Sequence, residues 1–385
     1  MARKRVIYQS EALFAGPTGA TNDAGGINQL HRVQDISHSV EVTRTDVNEF
    51  GKLAALSREV IEVPTVSCDF SYYAVDGWNE ASGLQMTLNG WGDIASDTNV
   101  LSGYMAEGAA NTSEQNYYIL TVPEGEDATQ DDVYTADQHE KHGVIGVGNG
   151  YVTSYGISFS VGEIPSASVS VEASNLRFDV KSSGIPNPAI NPTNGSAVGG
   201  GLITLPNSTT GNLQAFVVRP GDIEVDFGAS TLQAGGVLLP GNTYTDPNGN
   251  DRDGKACVQS VSIDLPLSRT PLQCLGSVFP KSRELDLPIN TSLTVNANIA
   301  DISSGDLNSL LCADAQQRDI TVRLKGKCGD KDQDEMMIFT LKNATLDSQS
   351  MSSSIGDNKS VDLTFSAQIG GPNDAANGLF VSGKA

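Results

Sequence analysis

Alternation of apolar and polar residues with a period of two dominates this chain. Ile36, His38, Val40 and Val42 alternate with Ser37, Ser39, Glu41 and Thr43. Tyr151, Thr153, Tyr155, Ile157, Phe159 and Val161 share one side of a run whose other side carries Ser154, Ser158 and Ser160. Ile320, Val322 and Leu324 alternate with Thr321, Arg323 and Lys325, and Val361, Leu363 and Phe365 alternate with Asp362 and Thr364. Successive side chains of an extended strand point to opposite faces, so each run predicts a strand with one buried and one polar face. Helical periods are scarce. One short helix is expected over residues 306–312, with Ser303 or Ser304 near its start, and a counterpart near 99–105, where Gly103 opposes it.

The alternation recurs at a distance. A shift of 225 residues lays Val33-Gln34-Asp35-Ile36-Ser37 on Val258-Gln259-Ser260-Val261-Ser262. Without a gap, Arg44-Thr45 then meets Arg269-Thr270, Gly51 meets Gly276, Ser57-Arg58-Glu59 meets Ser282-Arg283-Glu284, and Ser67 meets Ser292. Residues 33–70 thus hold ten identities in 38 positions, with the apolar pattern kept. Val261, Ile263, Leu265 and Leu267 repeat the buried face, and Pro266 implies a bulge or an edge, because proline offers no ladder donor. Such a repeat predicts two copies of one structural unit.

The expected architecture is mainly β: two tandem β-sandwich or barrel domains, each with one short helix, plus long loops. Residues 1–28 read as a flexible N-terminal arm and 29–181 as the first β domain. Residues 182–254 read as a Gly/Pro/Asn-rich connector, with an embedded strand pair (215–218 and 223–227) around Pro220-Gly221. Residues 255–385 read as the second β domain. Forty glycines and sixteen prolines agree with many turns.

Charge narrows the function. Lys and Arg number 24 against 46 Asp and Glu, for a net charge of −22. Proteins that grip nucleic acid neutralise phosphates with a basic stripe, which this balance opposes. It suits a surface that DNA slides past. The basic start Met1-Ala-Arg-Lys-Arg5 leads into no apolar leader region, and no run approaches the ~18 apolar residues of a membrane span. Folding in a cytoplasm is expected. Cys68, Cys257, Cys274, Cys312 and Cys328 form no C-x-x-C pair and read as packing thiols.

No motif supports catalysis, a cofactor or a metal. Gly146-Val147-Gly148-Asn149-Gly150 resembles part of a dinucleotide loop, but a serine-rich strand follows where a helix is required, so a glycine-rich turn is expected. His139 and His142 have the wrong spacing for a zinc helix. The 246–257 loop alternates acidic and amide oxygens as a calcium loop does. It lacks the glycine at position six, and Cys257 stands where a bidentate Glu belongs, so a plain turn is favoured. Asp222, Glu224 and Asp226 share one face of an expected strand. They read either as a solvated edge that discourages strand addition or as an acidic wall that repels phosphate.

The repeated segments carry a resemblance. Ile263-Asp264-Leu265-Pro266-Leu267-Ser268-Arg269-Thr270-Pro271-Leu272, then Leu275-Gly276, then Arg283-Glu284-Leu285-Asp286-Leu287-Pro288 is similar to the tail tube (major tail) proteins of long-tailed bacteriophages. So is the earlier version from Val42-Thr43-Arg44 through Gly51 to Arg58-Glu59. Tyr117-Tyr118-Ile119-Leu120 with Glu124-Gly125-Glu126-Asp127-Ala128, and Val161-Gly162-Glu163-Ile164-Pro165, follow in the same order.

The resemblance implies a β domain whose sheet joins its neighbours in a ring, six domains to a ring, with rings stacked into a hollow tube for DNA. Members mostly carry one such domain; this chain carries two, so three chains are expected to close a ring of pseudo-sixfold symmetry. The implied partners are other copies of the chain and further tail proteins (tape measure, terminator, tail tip or sheath). DNA passes the lumen without specific binding, and the location is the virion tail. Thr45, Asp46, Phe50, Lys52, Thr270, Leu272 and Ser277, in the loops of equal length in the two repeats, are candidates for contact between stacked rings. Asp222, Glu224 and Asp226 are the lumen candidates. Two rivals stay open: a β-sandwich adhesin or decoration protein, and a glycan hydrolase, for which only Trp78 and Trp91 offer tryptophan platforms.

Overall fold

The computed structural model describes residues 11–22, 25–61, 63–89, 99–105, 114–124, 128, 141–198, 201–206, 218, 222–227, 232–234, 237–239, 244–245, 251–252, 256–299, 317–325, 335–356 and 358–383. It is mainly β. The first half contributes β1 (Glu11–Pro17), β2 (Val33–Glu41), β3 (Thr45–Val47), β4 (Ser57–Glu59), β5 (Thr65–Tyr73), β6 (Gln115–Thr121), β7 (Gly143–Ser160), β8 (Ser166–Ala173) and β9 (Asn175–Asp179). The second contributes β10 (Ile223–Asp226), β11 (Ala256–Pro266), β12 (Arg269–Leu272), β13 (Ser282–Leu285), β14 (Ile289–Ile299), β15 (Arg318–Lys325), β16 (Glu335–Ser352), β17 (Ser360–Ile369) and β18 (Gly378–Gly383).

The halves share one pairing order. In the first, β1, β6, β7 and β9 make one sheet, and β7, β8, β5 and β2 make another. In the second, β10, β15, β16 and β18 answer to the former, and β16, β17, β14 and β11 to the latter. The 18-residue strands β7 and β16 belong to both sheets of their halves. Each changes sheets at a left-handed asparagine, Asn149 at φ 55° and Asn343 at φ 57°. Asparagine is among the few residues with a side chain that tolerate this conformation. Both strands also carry a bulge a few residues later: Ser154 and then Val152 face β8, while Ser348 and then Leu346 face β17.

These matches extend the repeat beyond residue 70, now at a shift of 194. Val169 opposite Phe70 answers to Leu363 opposite Val295. Gly162 and Gly356, both at positive φ, also answer to each other, as Gly51 and Gly276 do at the earlier shift.

One apolar core runs through both halves, from Phe70, Tyr155 and Ile157 to Val295, Phe339 and Leu363. A smaller one gathers Phe14, Ile27, Tyr118 and Val144 with Ile185 and Ile203 of the connector.

Several expectations change. The stretch expected to be a flexible arm contains β1, whose Ala12, Leu13, Phe14 and Ala15 are buried by pairing with β6. Gly146–Gly150 is a length of β7 and not a turn. A Cβ on Gly148 would lie 2.2 Å from the Pro188 carbonyl oxygen, so glycine admits the connector's backbone there. Residues 223–226 are a strand, paired with β15; all of its expected partner at 215–218 but Val218 lies outside the described residues. The helix expected near 99–105 is a short 3-10 helix, Val100–Gly103, capped by Asn99, whose Oδ1 accepts from Leu101 N–H at 3.0 Å. Its counterpart at 306–312 lies outside the described residues.

Candidate assembly interface

The two halves meet edge to edge. One side of β7 holds β8, and the other takes β11, with Ser260 opposite Ser160, Ile263 opposite Ile157 and Pro266 opposite Ser154. The result is a continuous sheet of eight strands in the order β2-β5-β8-β7-β11-β14-β17-β16. Its two ends are β2 and the second half of β16. By the repeat, β2 is the equivalent of β11, and that part of β16 is the equivalent of β7. The ends of the sheet are therefore the two strand types that join at its middle.

Their surroundings differ accordingly. Val261, Ile263, Leu265 and Leu267 are all buried at the central joint. At the equivalent positions of β2 and its extension, Ile36 is half-buried, His38 is exposed, and Val40 and Val42 are 49% and 42% exposed. Ile157 of β7 is buried, whereas its equivalent in β16, Met351, is 40% exposed. Pairing with a neighbour decides burial here, since the strands occupy the same place in each half.

The sheet's other face is polar and uniform. Ser37, Ser39, Ser67, Ser71, Ser158, Ser166, Ser168, Ser262, Ser292, Thr294, Ser350, Ser352, Ser360 and Thr364 lie on it, bridged in places by hydroxyl pairs such as Ser39–Ser67 at 2.8 Å and Ser352–Ser360 at 2.6 Å. Asp35, Glu41, Asp69, Glu172, Asp264 and Asp362 share it. Neither Lys nor Arg occurs in β2, β5, β8, β11, β14 or β17, or in the parts of β7 and β16 within this sheet. Alternation along the strands already contained this face, but it only becomes visible as one surface once the strands are ordered.

Each half extends an arm, the β3–β4 and β12–β13 hairpins. The second arm lies against the first half. Leu267 N–H donates to Thr153 O at 2.9 Å. Arg269 Nε–H donates to Val152 O at 3.2 Å, and its guanidinium sits 5.0 Å from the Tyr151 ring centroid. Arg283, buried, pairs with Glu172 of β8, and Val278 and Phe279 N–H both donate to Pro192 O. The first arm reaches outward: Phe50 and Leu53 are fully exposed, and Arg58 pairs within the arm, with Asp46 at 2.7 Å.

The residues expected to bridge rings all lie on these arms. Thr45, Asp46, Phe50 and Lys52 are exposed, with Lys52 3.2 Å from Glu49. Thr270 donates to Asp286 at 2.6 Å, Leu272 is half-exposed, and Ser277 N–H closes a turn on Cys274 O. The expected lumen acids lie elsewhere. Asp222, Glu224 and Asp226 are on or beside β10, at the edge of the other sheet. Glu224 pairs with Lys325, and Asp226 lies 3.7 Å from Arg323. Cross-strand charge pairing, absent from the pattern of a single strand, is the physical role Glu224 and Asp226 serve there. His142 Nδ1 lies 3.0 Å from Ser182 Oγ; His139 and most of the 246–257 loop lie outside the described residues. No group of three or more metal-ligating side chains occurs among the described residues.

No family model and no curated protein matches this sequence. Solved structures that match include the tube-terminating cap of the anti-feeding prophage, at 13% identity and a TM-score of 0.22, covering 45% of this chain and 97% of that one. Another is the six-fold symmetrised baseplate of the same particle, at 11% identity and a TM-score of 0.22, covering 42% of this chain and 91% of that one. At that level of superposition the likeness decides nothing about role.

Proposed function

We propose that this chain is a structural, non-catalytic subunit of a phage-type tail, associating head to tail with its own copies into rings that stack as a tube for DNA. One observation carries the reading. The chain contains one complete joint between its halves and exposes at its two ends the two components of the same joint. Unpaired strand edges invite further pairing, and nothing blunts these ends with lysine. A head-to-tail contact either closes or runs on as a filament, and closure is favoured because it leaves no edge unpaired.

Three copies, each supplying eight strands, make a wall of twenty-four. With strands spaced about 4.8 Å apart and tilted about 40°, such a wall encloses a circle roughly 48 Å across between backbones. The hydroxyl-rich, acidic face lines the hole and the apolar face packs against the outer sheets. A wall whose strands carry no cations, and whose one neighbouring arginine, Arg283, is buried against Glu172, gives phosphates little to displace counterions with, so DNA passes without a salt-sensitive grip. The six arms of such a ring, tipped by Phe50, Leu53 and Leu275, project apolar side chains suited to the next ring.

Cryo-electron microscopy of the purified protein tests the proposal. Rings of three chains, stacked with a central channel, are expected. Six chains per ring, or single particles with no channel at high concentration, would sink it; the latter is the outcome that a surface adhesin gives.

A further inference from the structure

We infer that the joint between copies has a defined register: β2 of one copy pairs antiparallel with β16 of the next so that Ser39 stands opposite Ser350, and the β3–β4 arm lies over that neighbour's bulge. The inference rests on the assembly reading above and specifies its contact.

The register follows from the two shifts. At the central joint Asp264 faces Gly156, Ile263 faces Ile157 and Ser262 faces Ser158. Moving the β11 positions back by 225 and the β7 positions forward by 194 places Ser39 against Ser350, His38 against Met351 and Ser37 against Ser352. The second shift is set by pairing to β17 and its bulge, not by sequence likeness, so it does not depend on the residues being predicted. Parity also agrees: Ser37, Ser39, Ser350 and Ser352 all fall on the polar face, and His38 with Met351 on the apolar one.

The bulge supplies the arm's landing place. Thr153, skipped in the pairing of β7 with β8, accepts from Leu267 N–H, and the preceding Val152 carbonyl accepts from Arg269. Asp347 is skipped in the same way between β16 and β17, with Leu346 before it. Val42 and Arg44 stand where Leu267 and Arg269 do, so Val42 N–H is directed to Asp347 O and the Arg44 guanidinium to Leu346 O. The two joints are not identical. Glu172, partner of Arg283, has Ser366 at its equivalent position, and Arg58 brings its own partner, Asp46. The contact between copies thus lacks the cross-joint ion pair that the chain makes within itself.

Paired cysteines distinguish this register from its alternatives. Residues directly opposite in an antiparallel pair have Cα atoms about 4.5–5.5 Å apart, within disulfide reach, whereas diagonal neighbours at about 7–8 Å are beyond it. In the full chain with Cys257→Ser and Cys274→Ser, Ser39→Cys with Ser350→Cys is expected to give covalent dimers and trimers on mild oxidation, with the 39–350 linkage identified by mass spectrometry. Ser39→Cys with Ser352→Cys, and Ser37→Cys with Ser350→Cys, are expected to give little. Rings that form while cross-linking prefers a shifted pair overturn the register and leave the assembly standing. A protein that stays as single chains by light scattering overturns both. Arg44→Ala, exposed in the lone chain, is expected to weaken self-association about tenfold with unchanged circular dichroism; undiminished association overturns the arm's landing on β16.

Discussion

At the scale of single residues, burial sets the chemistry that can be measured. His31 lies just before β2, stacked on Trp78 with centroids 5.3 Å apart. Its backbone is clasped by Asn79, which accepts from His31 N–H at 2.7 Å and donates to His31 O at 2.8 Å. Burial lowers its pKa to about 4, Arg32 adds to the lowering and Asp76 opposes it. The unfolded chain therefore takes up a proton near pH 6.5 that the folded chain refuses until about pH 4. Stability must fall as pH drops through that window, and for this one group the loss between pH 7 and 4.5 is about 2 kcal/mol. Urea unfolding at the two pH values should show that much less acid loss in His31→Phe, which keeps a ring on Trp78. Equal losses in the two proteins would contradict the assignment. The same burial holds Cys68 up at about 12, consistent with an inert packing thiol.

At the scale of elements, the edge strand is the sensitive part. Val40→Lys places a charge on the open side of β2, where it meets water in the lone chain and the neighbour's apolar side in an assembly. Unchanged thermal unfolding of the single chain is expected, together with loss of rings by light scattering; rings persisting at wild-type concentration would count against β2 as the contact strand. The alternating strands and the 225-residue shift were legible because each strand has one wet face and because residues 33–70 match 258–295 without a gap. The rest was hidden for physical reasons. β1 is covered on both faces, Ala12 to Ala15 without a break, so it shows no alternation and resembles an arm. Beyond residue 70 the shift changes from 225 to 194, and only structural pairs such as Asn149 with Asn343 restore the correspondence. The acids of β10 share a face in the sequence, but the cations that answer Glu224 and Asp226 are a hundred residues away on β15.

At the scale of the whole molecule, the polar face would govern what the proposed tube can carry. Ser158→Lys combined with Ser262→Lys sets two cations side by side in mid-sheet, since these residues are directly opposite each other. Tubes of this variant should retain labelled duplex DNA at about 50 mM salt and release it at about 200 mM, while wild-type tubes retain none. Retention by the wild type would show that the wall is not this face. The seam between β7 and β11 has a consequence for counting as well. Because covalent continuity makes every second seam permanent, any closed circle built from these molecules contains an even number of half-molecules, and five- or seven-fold miscounts are forbidden by arithmetic before any contact energy is considered.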